Sequence, residues 1–216
     1  MCARLVGCAE RLADVGTDHA YLPIHMLQTG SIRSAVAADI NPGPLASAKR
    51  HAEEQLCADK MRFECCDGLD FPGAEECDAV VCAGMGGETI AGILSRAPWT
   101  RSETRLVLQP QSKLDELCLW LRENGYGIFD AALAAEGKRM YVALLVRGGT
   151  SGSLYAEDAL SLRRDELLSD WICARIEREE KALKGMMRGA DTGEQAGAAR
   201  ETVARLKQYL TSGGNT

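Results

Sequence analysis

Short apolar runs alternate with amphipathic stretches along the first two thirds of the chain. Residues 11–15 (RLADV), 34–40 (SAVAADI), 61–66 (MRFECC), 78–83 (DAVVCA) and 104–108 (TRLVL) have strand length and few charges. Between them, 21–29, 44–56, 88–96 and 112–124 carry apolar residues at helical spacing. Pro42 and Pro44 suit the first turn of the second helix, and Gly125 suits the end of the last. Two more strand-like runs, 127–134 and 140–146, are joined by the short link Glu136-Gly137-Lys138-Arg139 and predict an antiparallel hairpin. Alternating strands and helices with an antiparallel end predict an α/β fold with a doubly wound sheet.

The pattern changes after 148–153 (GGTSGS), whose composition is that of a flexible linker. Leu168, Ile172, Ile176, Leu183 and Met187 mark one helix face, interrupted by Glu179, and Ala199, Val203, Leu206 and Leu210 mark a second. The turn-forming run 189–193 (GADTG) between them predicts an antiparallel helical hairpin. The expected division is therefore residues 1–149 and residues 150–216. Packing of one helix on the other explains the apolar stripes. Lys181, Lys184, Arg188, Arg200, Arg205 and Lys207 on the outer faces are interspersed with acids, as on a solvated surface.

Composition narrows the setting. The chain has 216 residues, enough for a sizeable core, and a net charge of −6, which does not suit bulk coating of nucleic acid but leaves room for a local basic patch. Nine cysteines in no metal-binding spacing point to free thiols in a reducing cytoplasm, with no metal. Cys82, just before a glycine run, reads as a small buried strand residue, with modification of a rim thiol as the other reading. No apolar run approaches a membrane span, and no signal-peptide core follows Met1.

Candidate chemistry gathers at the expected carboxyl ends of the strands, where open α/β sheets bind ligands. After the first strand comes Gly16-Thr17-Asp18-His19-Ala20-Tyr21 rather than a glycine-rich phosphate loop. Asp14 and Asp18 would repel a phosphate there, whereas a cationic nucleoside lacking phosphates, S-adenosylmethionine, would suit them. The second strand runs into Asp39-Ile40-Asn41, at the distance where a carboxylate holds a ribose diol. Asp67-Gly68 follows the third and suits an adenine amino group and ring nitrogen. Gly84-Met85-Gly86-Gly87 follows the fourth, and Gln109-Pro110 ends the fifth.

The strings Ala13-Asp14-Val-Gly-Thr-Asp-His-Ala-Tyr-Leu-Pro23, Ala38-Asp39-Ile-Asn, Asp67-Gly-Leu, Ala83-Gly-Met-Gly-Gly87 and Leu108-Gln-Pro-Gln resemble the bacterial tRNA (adenine-22, N1)-methyltransferase family over essentially the whole chain. That resemblance implies a Rossmann-like methyltransferase domain, a C-terminal two-helix coiled coil, S-adenosylmethionine as cofactor and N1 of a tRNA adenine as target. Members of that family carry a longer, often basic N-terminal helical segment. Here Met1–Glu10 alone precedes the first strand, so that element is expected to be shortened or absent. The cofactor set is Asp14, Gly16, His19, Asp39, Ile40, Asn41, Asp67, Gly68, Gly84 and Met85. Methylated adenine is cationic, so a carboxylate beside it helps, and Asp18 is the candidate, with Tyr21 as a stacking platform. Asp18 could instead cap the following helix, and His19 could be a structural histidine. The chain is expected to act on tRNA as a monomer. A methyltransferase of small molecules or proteins, and a non-catalytic tRNA-binding protein, are the other readings.

Overall fold

The computed structural model describes residues 1–149, 151–186 and 194–212. Strands β1 (Ala9–Val15), β2 (Ile32–Asp39), β3 (Met61–Cys65), β4 (Ala79–Gly86), β5 (Arg105–Ser112), β6 (Tyr126–Glu136) and β7 (Arg139–Gly148) form one sheet in the order β3-β2-β1-β4-β5-β7-β6. The first five are parallel, and β7 runs antiparallel between β5 and β6. The chain winds outward from β1 through β2 to β3, then returns to β4 on the other side. The junction of β1 and β4 is thus the switch point of the sheet, where a crevice opens at the strand ends.

Burial on both faces explains why the central strands are nearly all apolar: Ala79, Val80, Val81 and Cys82 are each 0% exposed. Helices α1 (Cys2–Val6), α2 (Tyr21–Gln28) and α3 (Pro42–Glu54) flank the sheet, and Leu5, Val6, Ile24 and Leu27 share one core with Leu12, Ala35, Val81, Val107 and Ala143. Right-handed crossovers put α4 (Gly87–Arg96) on the opposite face, where it packs against α5 (Leu114–Glu123). β6 is anchored by Tyr126, fully buried, whose hydroxyl is 2.7 Å from that of Thr100 and whose ring stacks on Trp120.

Several expectations are revised. β4 and β5 run further than the apolar pattern, because Ala83, Met85 and Gly86 pair with Gln109, Pro110 and Ser112 across register shifts that absorb the glycines. The Gly84–Gly87 segment is therefore strand end and helix start rather than a free turn. The described residues of the 148–153 run are tied to β6 and to Arg101. Ser153 pairs with Ile128, and a Cβ on Gly152 would come within 2.5 Å of the Ile128 carbonyl oxygen, so glycine there permits close backbone packing. A helix that the pattern did not suggest, α6 (Ala156–Arg163), follows.

The chain divides into two compact units, Met1–Ala159 and Leu160–Thr216. In the second, α7 (Leu168–Met186) and α8 (Glu194–Ser212) pack together. Trp171, Ile172, Arg175 and Ile176 are buried on α7, and Ala196, Ala199, Val203 and Leu206 on α8. These three- and four-residue steps are those of a two-helix coiled coil. The guanidinium of Arg175 lies 5.0 Å over the Trp171 ring, an arrangement that lets an arginine sit in an apolar seam. Leu168 and Leu183 are half-buried and Leu210 is exposed, so the seam is narrower than the stripes suggest. Met187, Arg188 and the 189–193 turn lie outside the described residues. No helix among the described residues is long and apolar enough to cross a membrane.

Candidate functional site

At the end of β1 the chain turns sharply because Gly16 takes φ +75°. The amides of Gly16 and Thr17 both donate to the Ala38 carbonyl, at 2.8 and 3.2 Å, tying this turn to β2. A Cβ on Gly16 would come within 2.7 Å of Met85 Cε, so the glycine and the methionine share one space at the switch point. Thr17 is buried, and its hydroxyl accepts from the Ala20 amide at 3.2 Å. Ala20 has φ 53°, left-handed backbone uncommon for a residue with a side chain. The loop is thus held by Thr17. Asp18 makes no capping bond to α2, and its side chain is 79% exposed.

Asp14 lies just below. Burial pushes its carboxyl up to about 6, opposed in part by the bond with Thr17. No cation among the described residues forms an ion pair with it. A buried carboxylate in that condition fits a ligand bearing an ammonium or sulfonium group and does not fit a phosphate. Asp39, at the end of β2, accepts the Asn41 amide on Oδ1 at 2.7 Å, which fixes its carboxylate at the rim. Ile40 beside it is 66% exposed, an apolar surface at the mouth. The Cys66 amide bonds the Asp39 carbonyl at 3.1 Å, bringing Asp67 and Gly68 alongside. Gly68 has φ +69° and packs on Ile93, which would stand 2.9 Å from a Cβ.

Asp67 is partly engaged: Arg96 on α4 reaches its Oδ1 at 2.8 Å. A cavity of about 180 Å³ lies here, lined by Asp67, Leu69, Asp70, Ile93, Arg96 and Ala97. Across the switch point Gly84 has φ +81°, and its amide donates to Gln109 Oε1 at 3.0 Å. Gly87 admits no side chain, since a Cβ would come within 2.5 Å of the Lys113 carbonyl oxygen. Cys82 is fully enclosed, and burial pushes its thiol up to about 12, so it is an unreactive packing residue at neutral pH.

Asp18, His19 and Tyr21 form the outer lip. His19 Nε2 is 3.6 Å from Asp18 Oδ2, and the His19 and Tyr21 rings are tilted at 5.3 Å between centroids. Tyr21 is 66% exposed. A residue that sequence reasoning missed completes the group. His51, on α3, sets its ring edge-on to Tyr21 at 4.8 Å and places Nδ1 2.8 Å from the His19 carbonyl oxygen. Nothing in its spacing signals this, because His19 is 32 positions away and the two meet only once α3 packs.

Nine of the ten expected cofactor residues thus share one rim, and His19 stands on the outer lip. Asp14, Gly16, Asp39, Ile40, Asn41, Asp67 and Gly68 come from the ends of β1, β2 and β3, with Gly84 and Met85 from β4. Among known proteins, the methyltransferase-domain family matches residues 1–144. The tRNA (adenine(22)-N(1))-methyltransferase of Bacillus subtilis (strain 168) is 32% identical over 162 residues, covering 74% of this chain and 67% of its own length. The crystal structure of the B. subtilis M1A22 tRNA methyltransferase TrmK superposes with a TM-score of 0.79 at 25% identity, over 97% of this chain and 95% of its own. Streptococcus pneumoniae Sp1610 in complex with S-adenosyl-L-methionine superposes with a TM-score of 0.77 at 28% identity, over 97% of this chain and 96% of its own. With its switch-point rim, buried Asp14 and antiparallel β7 alongside these likenesses, the chain belongs to the tRNA (adenine(22)-N(1))-methyltransferase family.

Proposed function

We propose that this protein transfers a methyl group from S-adenosylmethionine to N1 of adenine 22 in tRNA, acting as a cytoplasmic monomer. The observation that carries the reading is the row of carboxylates at adjoining strand ends, with Asp14 buried and ion-paired with no cation among the described residues. S-adenosylmethionine supplies an electrophilic methyl group on a sulfonium.

Asp39 holds the ribose hydroxyls, since one carboxylate can accept from both. Gly68 and the remaining acceptor capacity of Asp67 meet the adenine ring, with Ile40 against its face and Asn41 fixing the Asp39 carboxylate through its amide. Asp14, His19 and the open backbone at Gly16, Gly84 and Met85 surround the amino-acid end. N1 of the target adenine has an in-plane lone pair and needs no base to become a nucleophile, so placement and exclusion of water supply much of the rate. Asp18, at the lip, stabilises the positive charge that the methylated base acquires, and Tyr21 offers its exposed ring for stacking. Because the rim is acidic, phosphate contacts come from elsewhere, and the exposed Lys181, Lys184 and Arg200 of α7 and α8 are candidates.

The test is mass mapping of tRNA incubated with the protein and labelled S-adenosylmethionine. The expected product is 1-methyladenosine at position 22. Label in a protein or small-molecule fraction would give the rim a different substrate. Binding of tRNA without transfer would make the chain a non-catalytic binder. Sedimentation at the mass of more than one chain would overturn the monomer.

A further inference from the structure

We infer that His51 is a positioning residue for base methylation, locking the Asp18–Tyr21 lip in its working conformation from α3. The inference rests on the reading above for its role in turnover, but its geometry stands without it.

Ala20, buried in the core and bonded through its carbonyl to the Ile24 amide at 3.1 Å, anchors the middle of the lip, and side chains hold the rest. Thr17 Oγ1 accepts the Ala20 amide at 3.2 Å, and Ala20 itself holds φ 53°, a conformation that costs an L-residue free energy and reverts unless its surroundings fix it. Asp18 is exposed and caps nothing, so its own bonds do not hold the backbone. His51 supplies what is missing. Its partner at 2.8 Å is a carbonyl oxygen, which can only accept, so Nδ1 must carry the proton. The same ring meets the Tyr21 ring edge-on at 4.8 Å, a favourable aromatic geometry. One side chain thus grips the lip on both sides of Ala20, by the carbonyl before it and the ring after it. Of the two groups offered to the target base, Tyr21 is held in that grip and Asp18 adjoins it.

The arrangement distinguishes positioning from acid–base work. Nδ1 keeps its proton whether or not Nε2 binds a second one, so the bond to the His19 carbonyl survives protonation of the ring. Replacing His51 should therefore lower the rate by the same factor across the pH range.

The variants His51→Ala and His51→Asn test this, since the asparagine amide can offer an N–H to the same carbonyl. In the ligand-free protein, hydrogen exchange within 18–21, read at the Ala20 amide that Thr17 accepts, should quicken about tenfold in His51→Ala, as expected when a part-buried bond and a ring–ring packing are removed. The single-turnover rate on tRNA should fall with the closed fraction of the lip, by about twofold once open and closed forms are equally populated. S-adenosylhomocysteine affinity should fall by less than lip exchange quickens in both variants, because His19 is the one cofactor residue on the lip and Asp14, Asp39 and Asp67 are untouched. His51→Asn should recover part of the rate, with a pH profile parallel to the wild type. Unchanged exchange at 18–21 in His51→Ala overturns the inference whatever the substrate proves to be. Faster exchange with a wild-type rate overturns the role in methylation alone. A profile that loses one limb in His51→Asn makes His51 an acid–base group instead. If His51→Ala fails to bind S-adenosylhomocysteine, His51→Asn decides: loss of binding there too makes the histidine a folding residue and ends the proposal. A wild-type protein that methylates no tRNA overturns the proposed function and the turnover role together, leaving the exchange result to stand or fall separately.

Discussion

The strand-end rim and the α7–α8 pair hold their charges in opposite ways. On the rim each acid has a fixed place: Asp14 is buried against Thr17, Asp39 accepts the Asn41 amide and Asp67 is paired with Arg96. On the helices, Lys181, Lys184 and Arg200 stand in solvent, and Lys207 is paired with Glu180 at 2.9 Å. Fixed charges recognise one small ligand with directional bonds. Exposed charges on flexible stems suit a polyanion, where each contributes a modest and salt-sensitive share. Single substitutions should therefore be severe on the rim and mild on the helices.

The largest effect is expected at Asp39. Asp39→Ala removes two charge-assisted bonds to the ribose and should raise the Kd for S-adenosylhomocysteine about ten- to a hundredfold in calorimetry. NADH, whose pyrophosphate would face Asp14 and Asp18, should not bind. An unchanged affinity in a folded variant would break the contrast at its strongest point.

Asp18→Asn comes next. It keeps size and removes charge, so the single-turnover rate should fall at least about tenfold while S-adenosylhomocysteine affinity stays within about twofold. A wild-type rate would leave Asp18 without a role, since the structure gives it no capping bond.

Asp14 sharpens the comparison through pH. Its carboxyl is raised from 3.8 to about 6 in the folded protein, so the folded state holds the proton more tightly than the unfolded chain. Its contribution to stability is present below about pH 4 and is lost as pH rises through about 6. The ionised form is the one that suits an ammonium group. Affinity for S-adenosylhomocysteine should therefore strengthen as pH rises through about 6, by up to about tenfold between about pH 5 and 7. Asp14→Asn should flatten that dependence, and an unaltered slope would place the titration elsewhere.

The smallest single-site effects belong to the helices. Replacing Lys181 and Lys184 by Ala should reduce the slope of log tRNA affinity against log salt by about 0.7–0.9 for each phosphate that the helices cease to neutralise. S-adenosylhomocysteine binding should not change. A constant slope would make α7 and α8 a structural appendage.

Most of the frame was legible because burial on two faces leaves apolar runs that nothing else explains, as at Ala79–Cys82. The rim acids were legible because they end those runs. What stayed hidden depends on the meeting of distant segments. β4 extends through Gly84–Gly86 because β5 offers partners at Pro110 and Ser112. Gly148 and Gly152 read as linker, yet their lack of Cβ serves close packing on the backbones of Arg101 and Ile128. His51 shows the limit most clearly, since a histidine on a helix carries no mark of the carbonyl it meets.

The shared space of Gly16 and Met85 has a consequence for inheritance. A Cβ at position 16 would press only on the far end of the flexible Met85 side chain, which can swing aside, so crowding alone does not couple the two positions. The φ of +75° is what fixes the glycine, since a side chain there is strained whatever space Met85 leaves. Position 16 should therefore stay glycine while position 85 varies among apolar side chains, which makes position 85 a marker for sorting related chains by the shape of their crevice.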